Sequence, residues 1–196
     1  MKIGIFSDVH GHLSELERTL ALFENLQVDH LLCCGDLVDK GKESDAVVSL
    51  MRERRIPCIQ GNHDFKAQFT WFTHHEMLSS KTIDYLSKLL PTLSYEWDGI
   101  SVFACHANPW QDSSVYVFPE RPQALFREVI NAVDAQIIIM GHTHHPMHIQ
   151  IDGKHLLNPG SIYGNRNQAE RTCAVLNLPA CDFTLYDIDT GENIRF

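Results

Sequence analysis

Carboxylates and imidazoles stand at the ends of short apolar runs along this chain. Asp8 and His10 follow the run 2–7, and Asp36 and Asp39 follow the run that ends at Cys34. Asn62 and His63 follow 56–60, His106 follows 100–105, and His142 and His144 follow 135–140. Oxygen and nitrogen donors of these types suit divalent transition metals. Spacing adds to residue type. In Asp8-Val9-His10 and His142-Thr143-His144 the outer side chains of an extended segment point the same way. A single pair of this kind says little in a chain with 12 histidines. The ordered set says more: G-D-x-V-D, then G-N-H-D, then a lone His, then G-H-x-H, each after an apolar run.

The elements that must position these groups follow from periodicity. Residues 31–41 read as a buried strand running into a turn flanked by Gly35 and Gly41, which sets Asp36 at a strand's carboxyl end. Open α/β sheets place their ligands there. Residues 2–7, 29–34 and 56–60 read as strands, and 12–26 and 43–54 as amphipathic helices. In the first helix Leu13, Leu16, Leu20, Phe23 and Leu26 fall close to one face. Strand, helix, strand, helix, strand predicts a parallel sheet with crossover helices. Residues 65–90 read as helical in pieces, with His74 and His75 as solvated helix residues. Asp98-Gly99 and Asp152-Gly153 read as hairpin turns joining 93–97 to 100–105 and 147–151 to 154–157. A helix at 123–133, a strand at 135–140 and strands at 172–178 and 183–188 complete the pattern. The loop 108–119 could wall a cleft, with Trp110 or Tyr116 stacking on a base.

Composition narrows the class. With 196 residues, 44% hydrophobic and 21% charged, the chain is expected to pack as one domain over 1–196. A net charge of -9 argues against broad nucleic-acid binding, which needs a basic face. It leaves a phosphorylated substrate open, because bound cations reverse the local sign. Cys33, Cys34, Cys58, Cys105, Cys173 and Cys181 sit mostly in apolar runs with no C-x-x-C pair. They read as small core residues in a reducing, cytoplasmic setting. No apolar stretch approaches the ~20 residues of a membrane span. Oligomeric state is not legible.

The ordered motifs resemble those of the calcineurin-like metallophosphoesterase superfamily, in particular its small single-domain phosphodiesterase branch. The likeness runs from Asp8 to about Gly160. It implies a four-layer α/β/β/α sandwich of two mixed β-sheets flanked by helices. It implies that Asp8, His10, Asp36 and His144 hold one divalent ion, and Asp36, Asn62, His106 and His142 a second, so that Asp36 bridges. Manganese, iron, zinc or nickel could fill such sites. His63 is then not a ligand but stands near the leaving group, oriented by Asp39, where it could donate a proton to the departing oxygen or hydrogen-bond a phosphoryl oxygen. Related protein phosphatases have G-D-x-V-D-R-G and use the Arg on phosphate. Here Lys40 replaces it, either as a point charge on phosphate or as an exposed side chain. Asn158-Pro159-Gly160-Ser161 resembles a motif of the phosphodiesterase branch. Ser161 or Arg166 could touch substrate, or the segment is a plain turn.

The function so implied is phosphodiester hydrolysis of a small or nucleotide-like substrate by in-line attack of a metal-bridging hydroxide. Rival readings are a phosphomonoesterase or protein phosphatase, a dinucleoside polyphosphate hydrolase, and a non-catalytic scaffold such as the retromer subunit of the same fold. Complete ligand positions and the presence of His63 favour an enzyme.

Overall fold

The computed structural model describes residues 1–164 and 170–195. The strands β1 (Lys2–Phe6) and β2 (His30–Cys33) pair in parallel across the crossover helix α1 (Leu13–Asn25). Four consecutive residues of β1 are buried, as a strand covered on both faces requires. Leu16, Leu20 and Phe23 form the inward stripe of α1. The helices α2 (Ser44–Glu53), α3 (Asn62–Thr70) and α4 (Ser80–Leu86) follow. Next comes the hairpin β3 (Thr92–Trp97) and β4 (Ile100–Cys105). Its turn residues Asp98 and Gly99 have φ of 50° and 76°, the left-handed pair that a tight hairpin needs. Helix α5 (Gln123–Asn131) leads to β5 (Ile137–Ile139), and Asp152-Gly153 joins β6 (Met147–Ile151) to β7 (Lys154–Asn158). The strands β8 (Thr172–Asn177), β9 (Asp182–Asp187) and β10 (Asn193–Ile194) come last.

Two five-stranded sheets result, ordered β10-β9-β8-β1-β2 and β3-β4-β5-β7-β6. Both are mixed. In the first, β1 runs parallel to β2 and antiparallel to β8. In the second, β4, β5 and β7 are parallel, with β3 and β6 antiparallel at the edges. Three apolar layers glue the elements. Ile3, Ile5, Leu32 and Leu176 meet Val102, Ala104, Ile137 and Ile139 between the sheets. Leu16, Phe23, Val47, Met51 and Leu86 cover the outer face of the first sheet. Phe126, Val129 and Ile130 cover Ile138, Met140 and Leu156 on the second. The alternation within β5 is explicit: Ile137 and Ile139 face the inter-sheet layer and Ile138 the helix layer. The architecture is the α/β/β/α sandwich expected from the motifs.

Two local expectations fail. Residues 56–60 form no ladder. They make single bridges, Cys58 to Cys33 and Ile59 to Leu90, because Pro57 has no N–H to give and its carbonyl alone accepts from Cys33. His74 and His75 are not helical. Trp71 caps α3 at φ 60°, and residues 72–77 double back so that Phe72 bridges Met77. Cys33, Cys34, Cys58, Cys105 and Cys173 are buried free thiols and Cys181 is partly exposed. Among the described residues no helix is long and apolar enough to cross a membrane.

The inter-sheet layer should respond to volume. Ile137, fully buried, changed to Ala should cost about 3 kcal/mol and to Val about 1 kcal/mol, read from chemical denaturation midpoints at constant slope.

Candidate metal centre

The carboxyl ends of the parallel pairs β1/β2 and β4/β5 open onto one point. Short backbone ties fix them there. Asp8 N–H donates to Gly35 O at 2.9 Å, His10 N–H to Asp36 O at 2.9 Å, and Gly141 N–H to His106 O at 2.9 Å. Asp8 Oδ2 accepts from the His142 N–H at 3.0 Å, which joins the two sheets. Asp8, His10, Asp36, Asp39, Lys40, His142 and His144 all have φ between 52° and 77°. This is the left-handed region, which non-glycine residues seldom occupy and which collects at functional sites. Two glycines allow the close approach. A Cβ on Gly61 would run into the Asp36 carboxylate, and one on Gly141 into Ser7 Oγ.

Three sets of donor atoms lie within 4.8 Å of one another: Asp8, His10 and His144; His10, Asp36 and His63; and Asp36, His106 and His142. Asp36 Oδ2 stands between the outer sets, 3.8 Å from His10 Nε2 and 3.3 Å from His106 Nε2. Asn62 Oδ1 is 3.1 Å from His106 Nε2. The residues expected as ligands are therefore neighbours, and the same distances admit His63 beside His10 and Asp36.

The donor chemistry fits cations. His10 Nδ1 faces Val38 O at 3.2 Å, His106 Nδ1 faces Cys34 O at 2.6 Å and His144 Nδ1 faces Gly164 O at 2.9 Å. A carbonyl can only accept, so each Nδ1 carries a proton, and each Nε2 is the atom left to offer a lone pair to a cation once any proton on it has gone. His142 does the reverse, with Nε2 on Ser113 O at 3.0 Å. Such carbonyl partners fix the tautomer of metal-binding imidazoles. The lone pairs then converge: His10 Nε2 is 3.2 Å from His144 Nε2, which is 3.1 Å from Asp8 Oδ1. Asp8 Oδ1 is buried and has no hydrogen-bond donor among the described residues. Facing lone pairs at this range repel unless a cation or proton lies among them.

Charge follows from the same packing. Burial pushes His10 down to about 3 against the pull of Asp36 and Asp8, so it is neutral, as a ligand must be. Burial opposes ionisation of Asp36, but His106 outweighs it and holds Asp36 well below the usual carboxylate range. Reciprocally, Asp36 overcomes burial and pushes His106 up to about 10. Asp8 likewise raises His144 against its burial.

A second carboxylate supports the loop from beneath. Asp64 accepts N–H bonds from Asp36 at 2.9 Å, Leu37 at 2.8 Å, Val38 at 3.3 Å and Gly61 at 3.0 Å. It occupies the third position of α3 and caps that helix. Burial and the Asp36 charge push its carboxyl up to about 7, against the N–H donors that favour the anion. Sequence reading missed this role; the signal was an acidic residue three places after a glycine at a helix start.

The other expected site residues fall as follows. His63 Nδ1 pairs with Asp39 Oδ2 at 2.7 Å. Lys40 Nζ lies 3.0 Å from His10 Nε2 and 5.3 Å from the centre of the Tyr163 ring. Ser161 does not face the cleft: it is buried, and its hydroxyl donates to Asp8 O at 2.9 Å. Its part is to hold the Asp8 loop. Arg166 lies outside the described residues. Tyr116 stacks on His142 with ring centres 4.5 Å apart, whereas Trp110 is exposed and lines neither neighbouring cavity.

The sequence pattern of the calcineurin-like phosphoesterase superfamily domain matches residues 1–180, and the chain belongs to that superfamily. A phosphodiesterase of Methanocaldococcus jannaschii is 25% identical over 166 residues, 84% of this chain and 86% of that one. An uncharacterised protein of the same organism is 26% identical over 179 residues, 82% of this chain and 70% of the other. The solved structure of a metallophosphoesterase from Sphaerobacter thermophilus shares the fold, with a TM-score of 0.79 at 23% identity, covering 100% of this chain and 89% of that one.

Two outcomes are expected. Replacing Asp64 with Ala leaves buried N–H groups without an acceptor and should lower stability by on the order of 3 kcal/mol or more, with Asn costing less, as read by denaturation. Asp36 favours a proton on His106 in the metal-free protein, raising it to about 10, and Mn²⁺ at its Nε2 would compete with that proton. Affinity should therefore rise with pH through neutrality and level off near that value. Calorimetry in buffers of different ionisation enthalpy should detect the proton released at pH 7.5; binding with no release would refute this.

Proposed function

We propose that this protein is a phosphodiesterase that works with two divalent cations, Asp36 lying between them. The observation that carries the choice of diester is a pair of cavities that meet at Asn62. One, about 320 Å³, is polar and contains Lys40, His63, His142 and His144. The other, about 390 Å³, has His106 among walls that are otherwise uncharged, such as Gln60, Phe65, Pro91 and Gln111. A phosphodiester centred on the ligand cluster has two substituents to house, and a monoester only one.

Asp8, His10, Asp36 and His144 would hold one cation, and Asp36, Asn62, His106 and His142 the other. When bound, two such cations supply Lewis acidity, lowering the pKa of a water from 15.7 toward about 7 and offsetting charge on the phosphoryl oxygens. The rest is done by the chain. The Lys40 ammonium, on a flexible stem beside His10, reaches an anion in the polar cavity as a point charge. As an imidazolium, His63 keeps the Nδ1 proton on Asp39 and gives the Nε2 proton to the departing ester oxygen. A water oxygen forms the new bond to phosphorus and gives up a proton to solvent, while the old phosphorus–oxygen bond breaks with its electron pair on the ester oxygen, which takes the His63 proton and leaves as an alcohol. Such a positioned acid contributes roughly 10²–10⁴-fold. Tyr116 and Phe118, stacked 5.5 Å apart on the wall of the polar cavity, offer a flat face to a nucleotide-like arm.

The test is hydrolysis of bis(4-nitrophenyl) phosphate against 4-nitrophenyl phosphate, with the metals identified by elemental analysis. Diester turnover should exceed monoester turnover, vanish with chelator and return with Mn²⁺. Asp36→Ala, folded as the parent, should lose on the order of 10²-fold or more. Faster monoester cleavage would sink the diesterase reading, and undiminished activity of the Asp36 variant the bridging role.

A further inference from the structure

Asp39 is held from both sides. On the cleft side its Oδ2 accepts from His63 Nδ1 at 2.7 Å. On the far side His74 Nδ1 lies 2.6 Å from Oδ1 and 2.8 Å from Oδ2. The His74 backbone N–H donates to Oδ1 at 2.9 Å, and that of Lys40 does the same at 2.9 Å. One carboxylate thus joins two imidazoles. The His63 side chain is 23% exposed, toward the cleft, and that of His74 is 66% exposed, toward solvent.

A small folded-back segment delivers His74. Thr73 N–H donates to Glu76 O at 2.9 Å, and Leu78 N–H to Trp71 O at 2.9 Å. The Glu76 carboxylate accepts from the Ser44 N–H at 2.9 Å, at the start of α2. Ser44 Oγ in turn accepts from the Asp39 N–H at 3.4 Å. The segment is therefore pinned to Asp39 itself and to the helix that follows it.

The backbone N–H groups of Lys40 and His74 hold only Oδ1, which leaves the carboxylate able to turn about that point and His63 to turn with it. Contact from His74 on both oxygens removes that rotation and leaves His63 one direction in which to donate. We propose that His74 is a positioning residue: by fixing the plane of Asp39 it fixes the tautomer and ring direction of His63, presenting His63 Nε2 to the leaving oxygen. This rests on the proton-donor role given above to His63. Burial opposes the charge on Asp39, yet the His74 bonds, backbone and side chain, hold its carboxyl well below the usual range. The acceptor is thus anionic wherever the enzyme works.

The test compares wild type, His74→Ala, His74→Asn and His63→Ala, loaded with Mn²⁺, on 4-nitrophenyl methyl phosphate and phenyl methyl phosphate. The esters differ only in how much the departing oxygen needs a proton. His74→Ala should lose about tenfold in kcat on the phenyl ester, part of the general-acid contribution, and under about threefold on the nitrophenyl ester, with KM unchanged. His74→Asn, whose amide nitrogen can stand where Nδ1 does, should recover most of the loss. Equal losses on both esters, or none, would overturn the inference. A second readout needs no turnover: long-range ¹⁵N–¹H spectra of the histidine rings in Zn²⁺-loaded protein. At alkaline pH, where the Nε2 proton that His63 would deliver has been removed, its neutral ring should be a pure Nδ1–H tautomer in wild type and a mixture in His74→Ala; unchanged His63 signals would refute the positioning role. If neither ester is cleaved with any cation, the phosphodiesterase reading fails, and the ring spectra still decide the place of His74.

Discussion

Two buried carboxylates, Asp8 and Asp36, point at the same small volume, and the surrounding structure exists to make that tolerable. A buried anion is costly unless paired or hydrogen-bonded. Here the imidazoles of His10, His106 and His144 surround the pair, but backbone carbonyls behind them take their Nδ1 protons. Their inward nitrogens cannot all donate. The cluster is therefore short of positive charge, a deficit that a bound cation would make good. Asp64 adds a third carboxylate below, and four backbone N–H groups answer it.

Backbone conformation is the means by which this is achieved. A strand that simply ended would send successive side chains to opposite faces. Turning Asp8, His10 and Asp36 into the left-handed region lets each loop aim its donors at one point while its N–H groups still find carbonyls. The strain, of order 1–3 kcal/mol at such a residue, is held by the ladders behind it. That explains why ligands emerge from the parallel strands at the sandwich centre and not from β3, β6 or β10 at the edges.

Much of this was legible in residue order. The two Asp-Gly turns, the buried strands and the donor sets announce themselves through local chemistry: left-handed tolerance, apolar continuity and metal-ligand type. What stayed hidden depends on partners distant in the chain. His74 lies 35 residues from Asp39, and no periodicity links them; the helical grain of 65–90 conceals the reversal at Trp71. The stretch 56–60 has strand composition, but Pro57 denies it a ladder. Ser161 looks like an exposed turn hydroxyl until the fold brings Asp8 above it. The Asp64 cap was written in the motif, but its hold on the Asp36 loop needed two loops to meet.

The place of β1 has a consequence for synthesis. Its partners are β2 and β8, and the pairing of Gly4 with Val175 spans almost the whole chain. As the polypeptide leaves the ribosome, one edge of β1 stays open until residues 172–177 emerge. Over that interval an apolar strand edge is available to neighbouring nascent chains, the circumstance in which intermolecular pairing begins. The Asp8 loop waits almost as long, for residues 161 and 162, since Ile162 N–H donates to Ser7 O and the Ser161 hydroxyl to Asp8 O. The candidate metal site is thus finished only as translation nears its end, and chaperone cover for the first half would protect both the edge and the site.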